Sequence, residues 1–198
     1  METVTMVLEV NRLNIKKAVR VLHEGGIIIY PTESSYGMGC DFTNKNAVER
    51  VNLIKNRLKN KHNTVIVDSL ETAKKYTKLC EKETKLANKF MPGPLTLVTK
   101  GKNGAEFNFR ISSHPVAGKL ARLFGKPIIA TSANNSGHPA IYDSADLHNF
   151  FGRVDIILDY GDLPKREAST VVAVSPRFRK IREGAIKIDT IKSSLKRM

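Results

Sequence analysis

Cysteine is scarce in this chain. Only Cys40 and Cys80 occur, neither in a C-x-x-C pair nor in a Cys/His cluster. That pattern argues against a disulfide framework and a structural zinc site, and makes a reducing cytosol, hence a cytoplasmic location, the natural expectation. Long apolar runs are missing as well. The stretches at 26–30 and 126–130 are far too short to span a bilayer, so no membrane association is expected. The N-terminus lacks the basic, apolar and small-residue order of a signal peptide. Aromatic residues make up only 7% of the chain, which leaves no evident platform for stacking bases. Several catalytic signatures are absent: GxxxxGK[ST], GxGxxG, GxSxG, HExxH and the EF-hand loop. Ser113 adjoins His114, but neighbours in sequence do not make a triad.

Acidic residues are also in short supply. Thirty-three Lys and Arg stand against nineteen Asp and Glu, a formal charge of +14. Such an imbalance attracts polyanions, whether nucleic acid or nucleotide phosphate. It sets a class of partner and leaves the reaction open. With 198 residues, 41% of them hydrophobic, the chain can bury a real core, and no linker, repeat or low-complexity tract divides it. A single domain covering 1–198 is expected.

The hydrophobic pattern alternates strands with helices. Residues 3–10 read as a strand and 14–24 as a helix with Ile15, Ala18, Val19 and Leu22 on one face. Residues 27–30 form a β-branched apolar run suited to a strand buried on both faces. Thr43 or Asn44 caps a helix carrying Ala47, Val48, Val51 and Ile54. Further strands are expected at 65–67, 95–99, 107–111, 127–130, 154–158, 170–174 and 178–182. Lysine-rich helices fill the stretch up to 89, with others at 115–124 and 143–150. The pattern predicts an α/β fold: a twisted, mixed, open sheet with helices on both faces.

Three polar segments follow apolar strands or a helix end. Residues 31–41 contain Thr32, Ser34, Ser35, Gly37 and Gly39 directly after a buried strand, the end at which open α/β sheets receive ligands. Lys55-Asn56-Arg57, extended by Lys59 and Lys61, closes the next helix. Cations there can simply satisfy the last carbonyls, or can grip a triphosphate. Residues 131–137 present Ser132, Asn134 and Ser136 alternately after the strand at 127–130. Each segment taken alone also reads as an ordinary connection.

Taken together and in order, these segments resemble the YrdC family of threonylcarbamoyl-AMP synthases. The resemblance rests on Pro31-Thr32-Glu33-Ser34-Ser35-Tyr36-Gly37, Lys55-Asn56-Arg57 and Pro92-Gly93-Pro94-Leu95-Thr96. It continues through Arg110 with His114-Pro115, Thr131-Ser132-Ala133-Asn134 with Ser136-Gly137, Ser169-Thr170-Val171, and Ile181-Arg182-Glu183-Gly184-Ala185-Ile186. It covers about residues 10–188.

The resemblance implies a YrdC-like fold with a deep, basic central cavity. It implies that Lys55 and Arg57 hold the phosphates of ATP and serve catalysis, with Lys61, Asn134 and Arg182 also on the nucleotide. Thr32, Ser34, Arg110, Ser132 and Ser169 would bind L-threonine, Arg110 through the carboxylate. No protein-bound metal is implied, and Mg2+ would travel on the triphosphate. The implied reaction joins L-threonine, bicarbonate and ATP into threonylcarbamoyl-AMP, releasing pyrophosphate. The product would pass to a tRNA threonylcarbamoyl transferase complex, and affinity for tRNA or double-stranded RNA is expected. The sequence departs from the family where Leu58 replaces a usual proline and where 61–64 replaces a segment often reading Asn-Pro-Leu-Ile. Ser34 stands where threonine is common, and the extra C-terminal domain of the longer branch is not expected. An RNA-binding or ribosome-maturation factor is the competing reading, since it explains the charge but not the Ser-x-Asn loop. A carbamoyl-phosphate module is a second rival, normally set in a longer chain with zinc fingers.

Arg57→Ala is expected to abolish ATP-to-pyrophosphate turnover while leaving the circular dichroism spectrum unchanged. Wild-type turnover in that variant would remove Arg57 from the mechanism.

Overall fold

The structure, a computed structural model, describes residues 4–56 and 63–196. The α/β class holds, but the strands are shared between two mixed sheets. The first has the order β1 (Met6–Glu9), β9 (Ile156–Asp159), β2 (Ile28–Pro31), β3 (Tyr36–Gly39), β8 (Thr131–Ser132). The second runs β11 (Arg179–Arg182), β10 (Thr170–Ala173), β5 (Leu95–Lys100), β6 (Glu106–Arg110), β4 (Thr64–Ile66), β7 (Ile128–Ile129). The stretch 128–132 is the link between them. Its first half pairs with β4 in the second sheet and its last half with β3 in the first. At the crossing, Ala130 donates to the Thr64 carbonyl at 2.8 Å and Ile129 to the Cys40 carbonyl at 2.9 Å.

β2 is the clearest case of sequence dictating position. Successive side chains in a strand point to opposite faces. Ile28 and Tyr30 accordingly enter a core with α1 (Arg12–His23) and α5 (Pro115–Phe124), while Ile27 and Ile29 enter the core on the other side. α1 contributes Ile15, Ala18, Val19 and Leu22, as its spacing predicts. Burying a side chain such as Leu22 stabilises by about 1.5–3 kcal/mol. Asn11 caps α1 by accepting from the Asn14 backbone N–H, and Asn44 caps α2 (Lys45–Ile54) in the same way from Ala47. α3 (Leu70–Tyr76) and α4 (Glu81–Phe90) fill the lysine-rich stretch.

The structure departs from the pattern in four places. The first strand is shorter than expected, and 144–150 is a 3-10 helix rather than an α-helix. A C-terminal helix, α6 (Ile188–Lys196), packs near α4, where Lys89 Nζ donates to Ser194 Oγ at 2.7 Å. The segment after Pro31 turns back as a hairpin, with β3 fully buried. Its glycines allow that. A Cβ on Gly39 would meet the Ile129 carbonyl and would stand 2.8 Å from the Tyr30 ring. Gly39 is therefore a close-approach position inside a strand, not a loop residue. Among the described residues, no helix is long and apolar enough to cross a membrane.

Candidate functional site

The hairpin turn after β2 is organised by one hydroxyl. Thr32 Oγ1 donates to the Ser35 carbonyl at 2.7 Å and lies within reach of the backbone N–H groups of Ser34 and Ser35. This local turn holds the Ser34 side chain toward a cavity of about 320 Å³ at the strand ends of both sheets. The volume falls at the low end of ordinary ligand pockets, roughly 300–1,000 Å³. Thr32, Ser34, Arg110, Ser132, Ser169 and Arg182 all line it, contributed by five separate stretches of chain. Every residue that the family resemblance assigns to threonine thus faces one space.

Arg110, at the end of β6, is buried, and its Nη1 lies 3.1 Å from Glu33 Oε1. The other carboxylate oxygen of Glu33 accepts from the Ser112 hydroxyl. Among the described residues, Arg110 Nε is buried with no hydrogen-bond partner. A buried guanidinium N–H without an acceptor is costly. Arg182 comes from β11 across the cavity. Its Nε and Nη2 donate to the Ser169 carbonyl at 3.0 and 2.8 Å, and Nη2 also reaches Ser169 Oγ at 3.0 Å. Ser169 Oγ in turn lies 3.0 Å from Thr96 Oγ1. Partial burial of the Arg182 guanidinium, and then the field of Arg110, lower its pKa. Two cations feeling each other across a polar cavity, with one carboxylate, Glu33, paired to Arg110, favour an anionic group on a ligand.

Lys55 lies at the C-terminal end of α2 and is only 4% exposed. Its ammonium donates to the Ser132 carbonyl at 2.5 Å, the Asn134 carbonyl at 2.8 Å and Asn134 Oδ1 at 2.7 Å. Asn134 Oδ1 also accepts from Ser132 Oγ at 2.6 Å, and its amide donates to the His138 carbonyl. Lys55 therefore grips the Ser-x-Asn segment directly. Asn134 lines a second cavity of about 470 Å³ with Asn135, His138, Asp146, Asn149 and Arg153. Arg57 and Lys61 lie outside the described residues.

Sequence reasoning missed Glu33 as the partner of Arg110, and Ser112 as the partner of Glu33. A carboxylate among hydroxyls in a strongly basic chain was the available signal, but its partner is distant in sequence. Cys40, beside the first segment, is fully buried in the core shared by Met38 and Ile129 and is not part of the cavity wall. Among the described residues, no group of three or more His, Cys, Asp or Glu is placed to hold a metal ion.

Residues 20–184 match the Sua5/YciO/YrdC family model, described as "Telomere recombination", and the chain belongs to this family. A threonylcarbamoyl-AMP synthase from Psychromonas ingrahamii is 32% identical over 158 residues, 74% of this chain and 83% of that protein. A threonylcarbamoyl-AMP synthase from Vibrio cholerae is 31% identical over 183 residues, 86% of this chain and 97% of that protein. Among solved structures, P. abyssi Sua5 in complex with L-threonine aligns with a TM-score of 0.87 at 27% identity. The alignment takes in 98% of this chain but only 61% of that one, so the chain spans about three fifths of its length.

Burial pushes the Cys40 thiol up to about 12, with Asp41 adding to the rise. At pH 8 that leaves roughly one thiolate in ten thousand, and the thiolate is the reactive form. Iodoacetamide at pH 8 is therefore expected to label Cys80, which is only partly buried, in the native protein and Cys40 only after unfolding. Equal labelling of both in the native state, read by peptide mass, would contradict the buried role.

Proposed function

We propose that the chain is an L-threonylcarbamoyladenylate synthase, a nucleotidyltransferase working as a single YrdC-like unit. One observation carries this reading. The five residues that the family resemblance assigns to threonine line one cavity, together with Arg182. The relatives named threonylcarbamoyl-AMP synthase, and the threonine complex of P. abyssi Sua5, support the same assignment.

In this proposal the threonine carboxylate pairs with the Arg110 guanidinium, and the hydroxyls of Thr32, Ser34, Ser132 and Ser169 surround the rest of the amino acid. The threonine amine and bicarbonate give an N-carboxy-threonine carbamate with loss of water. A carbamate oxygen then attacks the α-phosphorus of ATP, and pyrophosphate leaves with the α–β bridging oxygen. Such a transfer depends on in-line placement and charge neutralisation more than on a protein nucleophile. Arg57, Lys61 and Arg182 would neutralise the phosphates. Lys55 and Asn134 would form the wall beside them, with Lys55 fixing the Ser132–Asn134 segment. The cavity wall offers hydroxyls and guanidinium groups rather than carboxylates, so Mg2+ enters as part of the substrate, the magnesium complex of ATP. The product would be handed to a tRNA threonylcarbamoyl transferase complex in the cytoplasm. The charge of +14 would add affinity for tRNA or other structured RNA.

The test is pyrophosphate release from protein, Mg-ATP and bicarbonate with each amino acid in turn. Release that depends on L-threonine is expected. No release with any amino acid, alongside salt-sensitive tRNA binding, would favour a non-catalytic RNA-binding factor instead.

A further inference from the structure

We propose that Arg153, which lies in none of the segments assigned above, is a positioning residue for the nucleotide half of the site. The inference rests on the proposed function for what that half binds, but not for the contacts themselves.

α2 ends at Ile54, immediately before Lys55, and its last turn contains no basic residue of its own. The final carbonyls of a helix need donors, and the negative end of its dipole favours a cation. Lys55 follows as the C-cap, yet its ammonium is turned toward Ser132 and Asn134. Arg153 supplies the cation from the far side of the chain. Its Nη2 donates to the Ile54 carbonyl and lies 3.5 Å from Asn135 Oδ1. The guanidinium carbon sits 5.6 Å from the centre of the Phe150 ring, which gives it a fixed support, and the Arg153 backbone N–H donates to the Phe150 carbonyl at 3.0 Å.

The next carbonyl along is joined to the same loop. Ser136 N–H donates to the Lys55 carbonyl at 2.9 Å. Ile54, Lys55, Asn134, Asn135 and Ser136 are thus laced into one unit, with Arg153 touching both of its edges. Asn56 follows with φ of 49°, in the left-handed region. Small displacements here shift Lys55, Asn134 and the start of the Lys-x-Arg segment together, whereas the Thr32 turn and the Arg110–Glu33 pair hang from other strands. Ser132, though tied to Asn134, is also held by its pairing with Gly37 of β3, so the dependence on Arg153 falls mainly on the nucleotide.

Arg153→Ala and Arg153→Lys separate this role from simple stability. In Arg153→Ala, amide exchange at Ser136 is expected to rise about tenfold, as for loss of a charged hydrogen bond, with β2 and β9 unchanged. The KM for ATP rises by about the same factor and the KM for threonine stays near wild type. Lysine can donate to the Ile54 carbonyl but lacks the planar guanidinium that rests on Phe150, so Arg153→Lys recovers part of both effects. Unchanged exchange at Ser136, equal rises in both KM values, or a lysine variant no better than alanine would each overturn the proposal. A wild-type protein with no threonine-dependent pyrophosphate release would instead refute the assigned reaction, while the exchange data would still judge the tie made by Arg153.

Discussion

An ammonium group taken out of water must find acceptors, because an uncompensated buried charge costs several kcal/mol (~3–5 for breaking a buried pair). Among the described residues, Lys55 finds three oxygens in the segment between Ser132 and Asn134. The consequence is structural before it is chemical. The end of α2 and the strand-end loop after β8 cannot move independently, and the Ser132 and Asn134 side chains are locked to each other by the same acceptor oxygen. A lysine that the family resemblance places at a phosphate is here also the fastener for the Ser132–Asn134 segment.

A second constraint comes from the stretch 128–132, which serves both sheets. A strand that changes partners leaves a gap where the sheets diverge, and the ends of β2, β4, β6, β10 and β11 surround it. The backbone around such a gap is held by sheet hydrogen bonds, so hydroxyls and guanidinium groups on its rim are pre-placed. Glu33 restrains Arg110 at the rear, while Ser169 restrains Arg182 at the front. Fixed cations of this kind suit a reaction in which charge accumulates on carboxylate, carbamate and phosphate oxygens.

Much of this was legible in the sequence, for identifiable reasons. The all-apolar run at 27–30 suited a strand covered on both faces, and Thr43 or Asn44 announced α2, with Asn44 the cap. The polar segments were recognisable because each follows an apolar strand or a helix end. What stayed hidden depends on contacts distant along the chain. Gly37 and Gly39 look like loop residues until the 128–132 stretch packs against them. α6 is a short helix with no strong capping signal, held by α4. Glu33, Ser112 and Arg153 act on partners many residues away, and no local pattern marks them. The stretch with Arg57 and Lys61, proposed to face the nucleotide, is also where the sequence departs most from the family pattern.

The account stands on a cavity that holds threonine while its carbamate meets ATP. The most direct test is mass spectrometry of the nucleotides formed from ATP, L-threonine and isotopically labelled bicarbonate. The account predicts an AMP adduct that contains threonine and retains the label in its carbamoyl carbon. Conversion to unlabelled AMP or ADP alone, with no threonine adduct, would contradict it.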